Sequence, residues 1–180
     1  MERKSPLLYF AYGSNMNPGQ IALRCPGAKR IAAARLPDHR LAFFGHSERW
    51  DGGEETVMPA PGQTVHGMVY ALAFSALDRL DAWQGVRLDG GGGYFHSPAM
   101  VFDLKGATFD ILMYRKDILG PPRPPSIEYR AHILGGARDC GLPEDYCRAL
   151  MAIPAEPARY AVPREDDADR FLRSMAGCVC

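Results

Sequence analysis

The chain has 180 residues, and its 21 lysines and arginines balance 21 aspartates and glutamates, for a formal net charge of +0. That balance lacks the basic excess of a nucleic-acid binder, and no apolar run approaches the roughly 18 residues that span a bilayer; neither nucleic acid nor membrane is an expected partner. With 47% apolar and 23% charged residues the composition is that of a folded chain, long enough for one domain (1–180) with a sizeable core.

Met1-Glu2-Arg3-Lys4-Ser5-Pro6 is basic, but the apolar stretch behind it runs only from Leu7 to Ala11, too short for a signal-peptide core. A cytoplasmic location is the expectation. Leu7 to Ala11, bounded by turn residues, predicts a buried strand. Asn17-Pro18 predicts a helix start, with Asn17 as N-cap and Pro18 in the first turn, and Pro26-Gly27 ends that helix. Residues 30 to 44 are apolar and extended in character, and Gly45 to Glu55 reads as a polar connecting segment. Val65 to Leu72 predicts a second buried strand. Ser75 with Asp78 resembles a weak capping box opening a helix, with Leu77, Leu80 and Trp83 on its apolar face and Gly85 at its end.

Tyr94 to Leu104 and Thr108 to Tyr114 predict a hairpin turning at Lys105-Gly106. Pro121 to Pro125 is a stiff connector. Ser126 caps a helix to about Cys140, Pro143 starts another through about Ile153, and Pro163 to Met175 reads as a peripheral amphipathic helix within a 163–180 tail. Strands come first and helices last, which predicts an α+β chain. The five cysteines (Cys25, Cys140, Cys147, Cys178, Cys180) are odd in number and read as reduced thiols. Cys178-Val179-Cys180 lacks a partner cluster, so no metal is assigned.

Tyr12-Gly13-Ser14-Asn15-Met16 falls between the first strand and the first helix. A glycine there opens backbone conformations closed to other residues, and N–H groups near a helix start can point at an anion. The same residues also suit a plain turn, and neither phosphate-loop pattern is present.

Phe10-Ala11-Tyr12-Gly13-Ser14-Asn15-Met16 after an N-terminal strand resembles the signature of the γ-glutamylcyclotransferase-like family, with its AIG2-like and butirosin-biosynthesis-type members. Further segments follow in that family's order: His66-Gly67-Met68-Val69-Tyr70, Leu80-Asp81-Ala82-Trp83-Gln84-Gly85-Val86, Gly93-Tyr94, Pro124-Pro125-Ser126-Ile127-Glu128-Tyr129 and Gly141-Leu142-Pro143-Glu144-Asp145-Tyr146. The resemblance spans about residues 7–153. It implies a small mixed β-barrel with surrounding helices, and a cofactor-free release of 5-oxoproline from a small γ-glutamyl compound. In that reaction the substrate's own α-amine attacks its δ-carbonyl. It further implies that Tyr12, Gly13, Ser14, Asn15 and Met16 bind the glutamyl α-carboxylate, with Tyr94 and Tyr129 lining the cavity.

The resemblance places the proton-carrying Glu of an E-G-V motif where this chain has Gln84. An amide keeps the shape and cannot act as a general base at neutral pH. An engineered substitution, a natural member that binds without turnover, and takeover by another acid (Asp81 or Asp89) all account for it, with loss of chemistry favoured over takeover. A non-catalytic binding protein and a hydrolase or acyl transferase using the same pocket are the alternatives. Gly90 to Gly93 reads either as a flap or as a linker. His66 is expected in the core, Cys25 to be unreactive, and Trp83 to be core. Neither the leaving group nor the oligomeric state is legible.

Overall fold

The computed structural model describes residues 6–87, 89, 91–117 and 120–165. Five strands form a closed barrel in the order β1-β3-β2-β4-β5: β1 Leu7–Ala11, β2 Lys29–Ser47, β3 Gly52–Leu72, β4 Tyr94–Asp103 and β5 Thr108–Lys116. All neighbours pair antiparallel except β1 with β5, which meet in parallel at Tyr9 and Leu112. The barrel is therefore mixed, as the resemblance implies. Around it lie α1 Pro18–Arg24, α2 Phe74–Gln84, α3 Ile127–Asp139 and α4 Glu144–Met151, with a 3-10 turn at Ser14–Met16.

Period-two alternation sorts the strand residues into two clusters. Phe10, Ala34, Leu36, Val57, Val65, Val69, Val101, Ile111 and Met113 come from all five strands and from no helix, so they fill the lumen. Tyr9, Ala11, Met68, Tyr70 and Leu72 point the other way and pack with Ile21, Leu80, Ile133, Ala137 and Leu150 of the helices. α3 crosses close to the loop after β1 because residue 136 is glycine; a Cβ there would sit 2.7 Å from the Asn17 backbone nitrogen.

Most predicted elements stand where expected. Asn17 accepts from the Gln20 amide and caps α1, Ser126 caps α3, and Gly85, with φ 64°, closes α2. Three expectations change. The segment Gly45–Glu55 is a connector only around 48–51, because β3 starts at Gly52 and runs for 21 residues. Pro59 and Pro61 hid this strand, which accommodates them beside a register shift at Pro37/His39. α2 starts at Phe74 after Ala73, with no side-chain cap, so Ser75 and Asp78 form no capping box. Residues 163–165 are irregular, and the rest of the predicted tail helix, with Cys178 and Cys180, lies outside the described residues.

A strap of chain from 156 to 164 ties the β2–β3 turn down. Arg159 makes a forked contact to Asp51, Tyr160 donates to the Glu48 carbonyl at 2.6 Å, and the Arg164 amide donates to the Arg49 carbonyl at 2.9 Å. This matters for function because Arg49 and Trp50 of that turn face the cleft described next.

Candidate active site

At one end of the barrel a cleft of about 90 Å³ is walled by Ser14, Arg24, Ser47, Arg49, Trp50, Glu54, Glu55, Trp83, Gln84, Tyr94 and Tyr129. Below it a smaller space is lined by Tyr9, Tyr12, Gly13, Asn15, Tyr114 and again by Glu55, Gln84 and Tyr94. The loop after β1, the end of α2, the starts of β3 and β4 and the first turn of α3 thus meet in one place.

Most of the loop's polar groups are already engaged. The Met16 amide donates to the Gly13 carbonyl at 3.0 Å. Asn15 Nδ2 donates to the Tyr9 hydroxyl at 2.9 Å, while its Oδ1 accepts from Arg24 and Gln20. The Tyr12 hydroxyl donates to the Tyr114 carbonyl. The Ser14 amide does point at a carboxylate, at 3.2 Å, but that carboxylate is the chain's own Glu55.

Glu55 is buried, at 7% exposure, and among the described residues no cation is paired with its oxygens. Its Oε1 accepts from Ser14, its Oε2 accepts from the Tyr129 hydroxyl, and its carbonyl accepts from the Tyr94 hydroxyl at 2.9 Å. Burial raises its pKa above the ordinary carboxylate value, opposed by the Tyr129 hydroxyl and by the amides of Glu55 and Ser14. Gly13 leaves the room it needs, since a Cβ at residue 13 would fall 2.0 Å from Oε1. The neighbouring acid, Glu54, is held by Lys116 at 2.5 Å.

Across the cleft Arg24 is 3% exposed and lies with its guanidinium 3.5 Å from the centre of the Trp83 ring; that of Arg49 is 4.7 Å from the same ring. Burial and the second cation push the Arg24 pKa down to about 9, still charged at neutral pH. Trp50 stacks on Tyr129 at 4.8 Å and steadies that wall. The cleft therefore presents carboxylate on one side and guanidinium on the other, a pairing suited to a zwitterion.

The structure brings most of the sequence-predicted residues together: Ser14, Gln84, Tyr94 and Tyr129 on the cleft, Tyr12, Gly13 and Asn15 on the space beneath. Met16 does not belong with them. Its side chain is fully buried in the helix-side core, and its carbonyl accepts from Tyr70 at 3.3 Å. The candidates for replacing a lost acid also move away. Asp81 is tied to His96 at 2.6 Å and accepts from the Tyr114 hydroxyl. Asp89 is more than half exposed and bound by Arg87 and the Gly91 amide. Trp83 is a cleft wall rather than core. His66 packs on Tyr146 at 4.9 Å, and the Cys25 thiol, pushed up to about 11 by burial, donates to the Ala76 carbonyl.

Glu55 and Arg24 went unread. A signal for Glu55 existed: it is in phase with lumen-facing Val57, so a strand starting at Gly52 would have pointed it inward.

Comparisons with known proteins bear on the family and the fold. The model of the AIG2-like family matches residues 64–150. The chain is 35% identical to the γ-glutamylcyclotransferase of Mus musculus over 92% of this chain and 87% of that one, and 36% identical to the Homo sapiens protein of the same name over the same shares. A solved structure described as a γ-glutamyl cyclotransferase superposes with a TM-score of 0.79 at 34% identity, over 93% of this chain and 98% of that one. By sequence and by fold, the chain belongs to the γ-glutamylcyclotransferase family.

Proposed function

We propose that the cleft binds the γ-glutamyl end of a small compound and closes it into 5-oxoproline, releasing the amine or amino acid joined to its δ-carbonyl. The observation carrying this reading is the convergence of the 12–15 loop, Gln84, Tyr94 and Tyr129 on the cleft and the space beneath it, in a chain whose relatives bear the name of that activity. The nucleophile is tethered to its own electrophile, so the protein's task is to hold a flexible chain in its ring-closing shape and to move protons. The acidic wall receives the α-ammonium, and the guanidinium groups beside Trp83 receive carboxylate. Tyr94 and Tyr129 close the sides.

The test is incubation of the purified protein with a panel of γ-glutamyl amino acids and γ-glutamyl amines. Release of 5-oxoproline with the free amine is expected. Free glutamate or a newly formed amide would instead assign a hydrolase or an acyl transferase. A second reading, a binding protein without turnover, is favoured by Gln84 at the position of the expected acid/base. It predicts thermal stabilisation by a γ-glutamyl compound with no product from either the native chain or Gln84→Glu.

A further inference from the structure

We propose that Glu55 is the acid/base residue of this chain, the carboxylate that the resemblance assigns to position 84 being supplied instead from β3. The inference rests on the cyclisation reading above and adds the residue that performs it. Glu55 and Gln84 wall the same two spaces, so a carboxylate on β3 faces the same bound group as residue 84, from a different direction, and can carry the proton that the Gln84 amide cannot. Among the described residues, the other acid on the cleft, Glu54, is engaged by Lys116. Asp81 and Asp89 are turned elsewhere.

The surroundings of Glu55 match that duty. Its oxygens are held by one amide and one phenol, donors that orient the group and leave it able to accept a proton. An arginine fork would lock it in the ionised form. Burial raises its pKa toward working pH, as expected of a carboxyl that must be base and then acid.

The steps balance as follows. The α-ammonium gives one proton to water and, as its nitrogen bonds to the δ-carbon, a second to Glu55. Protonated Glu55 returns that proton to the departing nitrogen as the amide C–N bond breaks. The lactam keeps one N–H, the leaving group departs as a neutral amine and recovers a proton from water, and the carboxylate is regenerated without any change of oxidation state.

The rival account makes Glu55 a plug that fills the loop's anion site and keeps substrate out. The two accounts predict opposite results. Measured by 5-oxoproline release, Glu55→Gln should lower kcat by about 10²–10⁴-fold with KM little changed. Adding Gln84→Glu to Glu55→Gln should restore most of the loss, because a carboxylate then returns to the same cleft. That rescue also shows the fold intact, as a merely structural loss would not be recovered at a second position. An unchanged or increased kcat in Glu55→Gln overturns the proposal. So does a native chain that is inactive until Gln84→Glu is introduced, an outcome that leaves the cyclisation reading standing. Absence of product from the native chain and from Gln84→Glu alike overturns both.

Discussion

Gly13 shows how much one missing methyl decides. Its place is set by the Glu55 carboxylate beside it, at 2.0 Å from where a Cβ would lie. Gly13→Ala must push that carboxylate off the Ser14 amide. The expected cost is about 1–3 kcal/mol of stability, by the usual scale for overpacking, together with a fall in kcat; denaturant titration and product release check the two parts. Asn15 works differently. It satisfies the Tyr9 hydroxyl and the guanidinium of buried Arg24 at once. Asn15→Ala should therefore cost about 1–3 kcal/mol through the polar groups left unpaired, read as a lower midpoint in urea. The resemblance marked both positions, but not the division of labour between a space-maker and a structural tie. That division depends on Tyr9 and Arg24, 6 and 9 positions from Asn15, and on Glu55, far along the chain from Gly13, and only the folded chain shows their approach.

Among the elements, β3 and the strap at 156–164 carry what local patterns hid. Strand β3 begins with Gly52-Gly53-Glu54-Glu55 and contains two prolines, a composition that reads as connector; its pairing with β2 overrides that preference. Strands with clean apolar runs, β1 and the second half of β3, were legible because burial on both faces leaves an unbroken hydrophobic signature. The strap offered no periodicity at all, and its anchor is ionic. The Asp51 side chain is 1% exposed and accepts from both the guanidinium and the amide of Arg159, which hold its pKa well below the usual carboxylate range. A carboxylate depressed in the folded state contributes stability above its unfolded pKa, about 3.9, and loses that contribution as pH falls through the folded value. Asp51→Asn should accordingly lower Tm at pH 7, and the gap to the native chain should shrink steadily as pH drops below about 4. Thermal melts at a series of pH values check it; a gap independent of pH would refute it.

At the scale of the whole molecule, barrel closure is what assembles the cleft. Residues 14, 55, 84, 94 and 129 are scattered along the chain, yet β1 is flanked by β3 and β5 in the sheet order, and α3 packs across the loop at Gly136. The α+β class and the helix caps were readable from turn chemistry, and the loop after β1 and the position of residue 84 from family resemblance. The facing of Glu55 into the same space was not, because parity along a strand has meaning only once the strand's start is known. The central claim is that a γ-glutamyl group bound in this cleft is attacked by its own amine and not by water. Running the reaction in ¹⁸O-labelled water and analysing the products by mass spectrometry tests this directly. The account predicts 5-oxoproline without label from water, equimolar with the released amine. Free glutamate carrying ¹⁸O in its γ-carboxylate would contradict it.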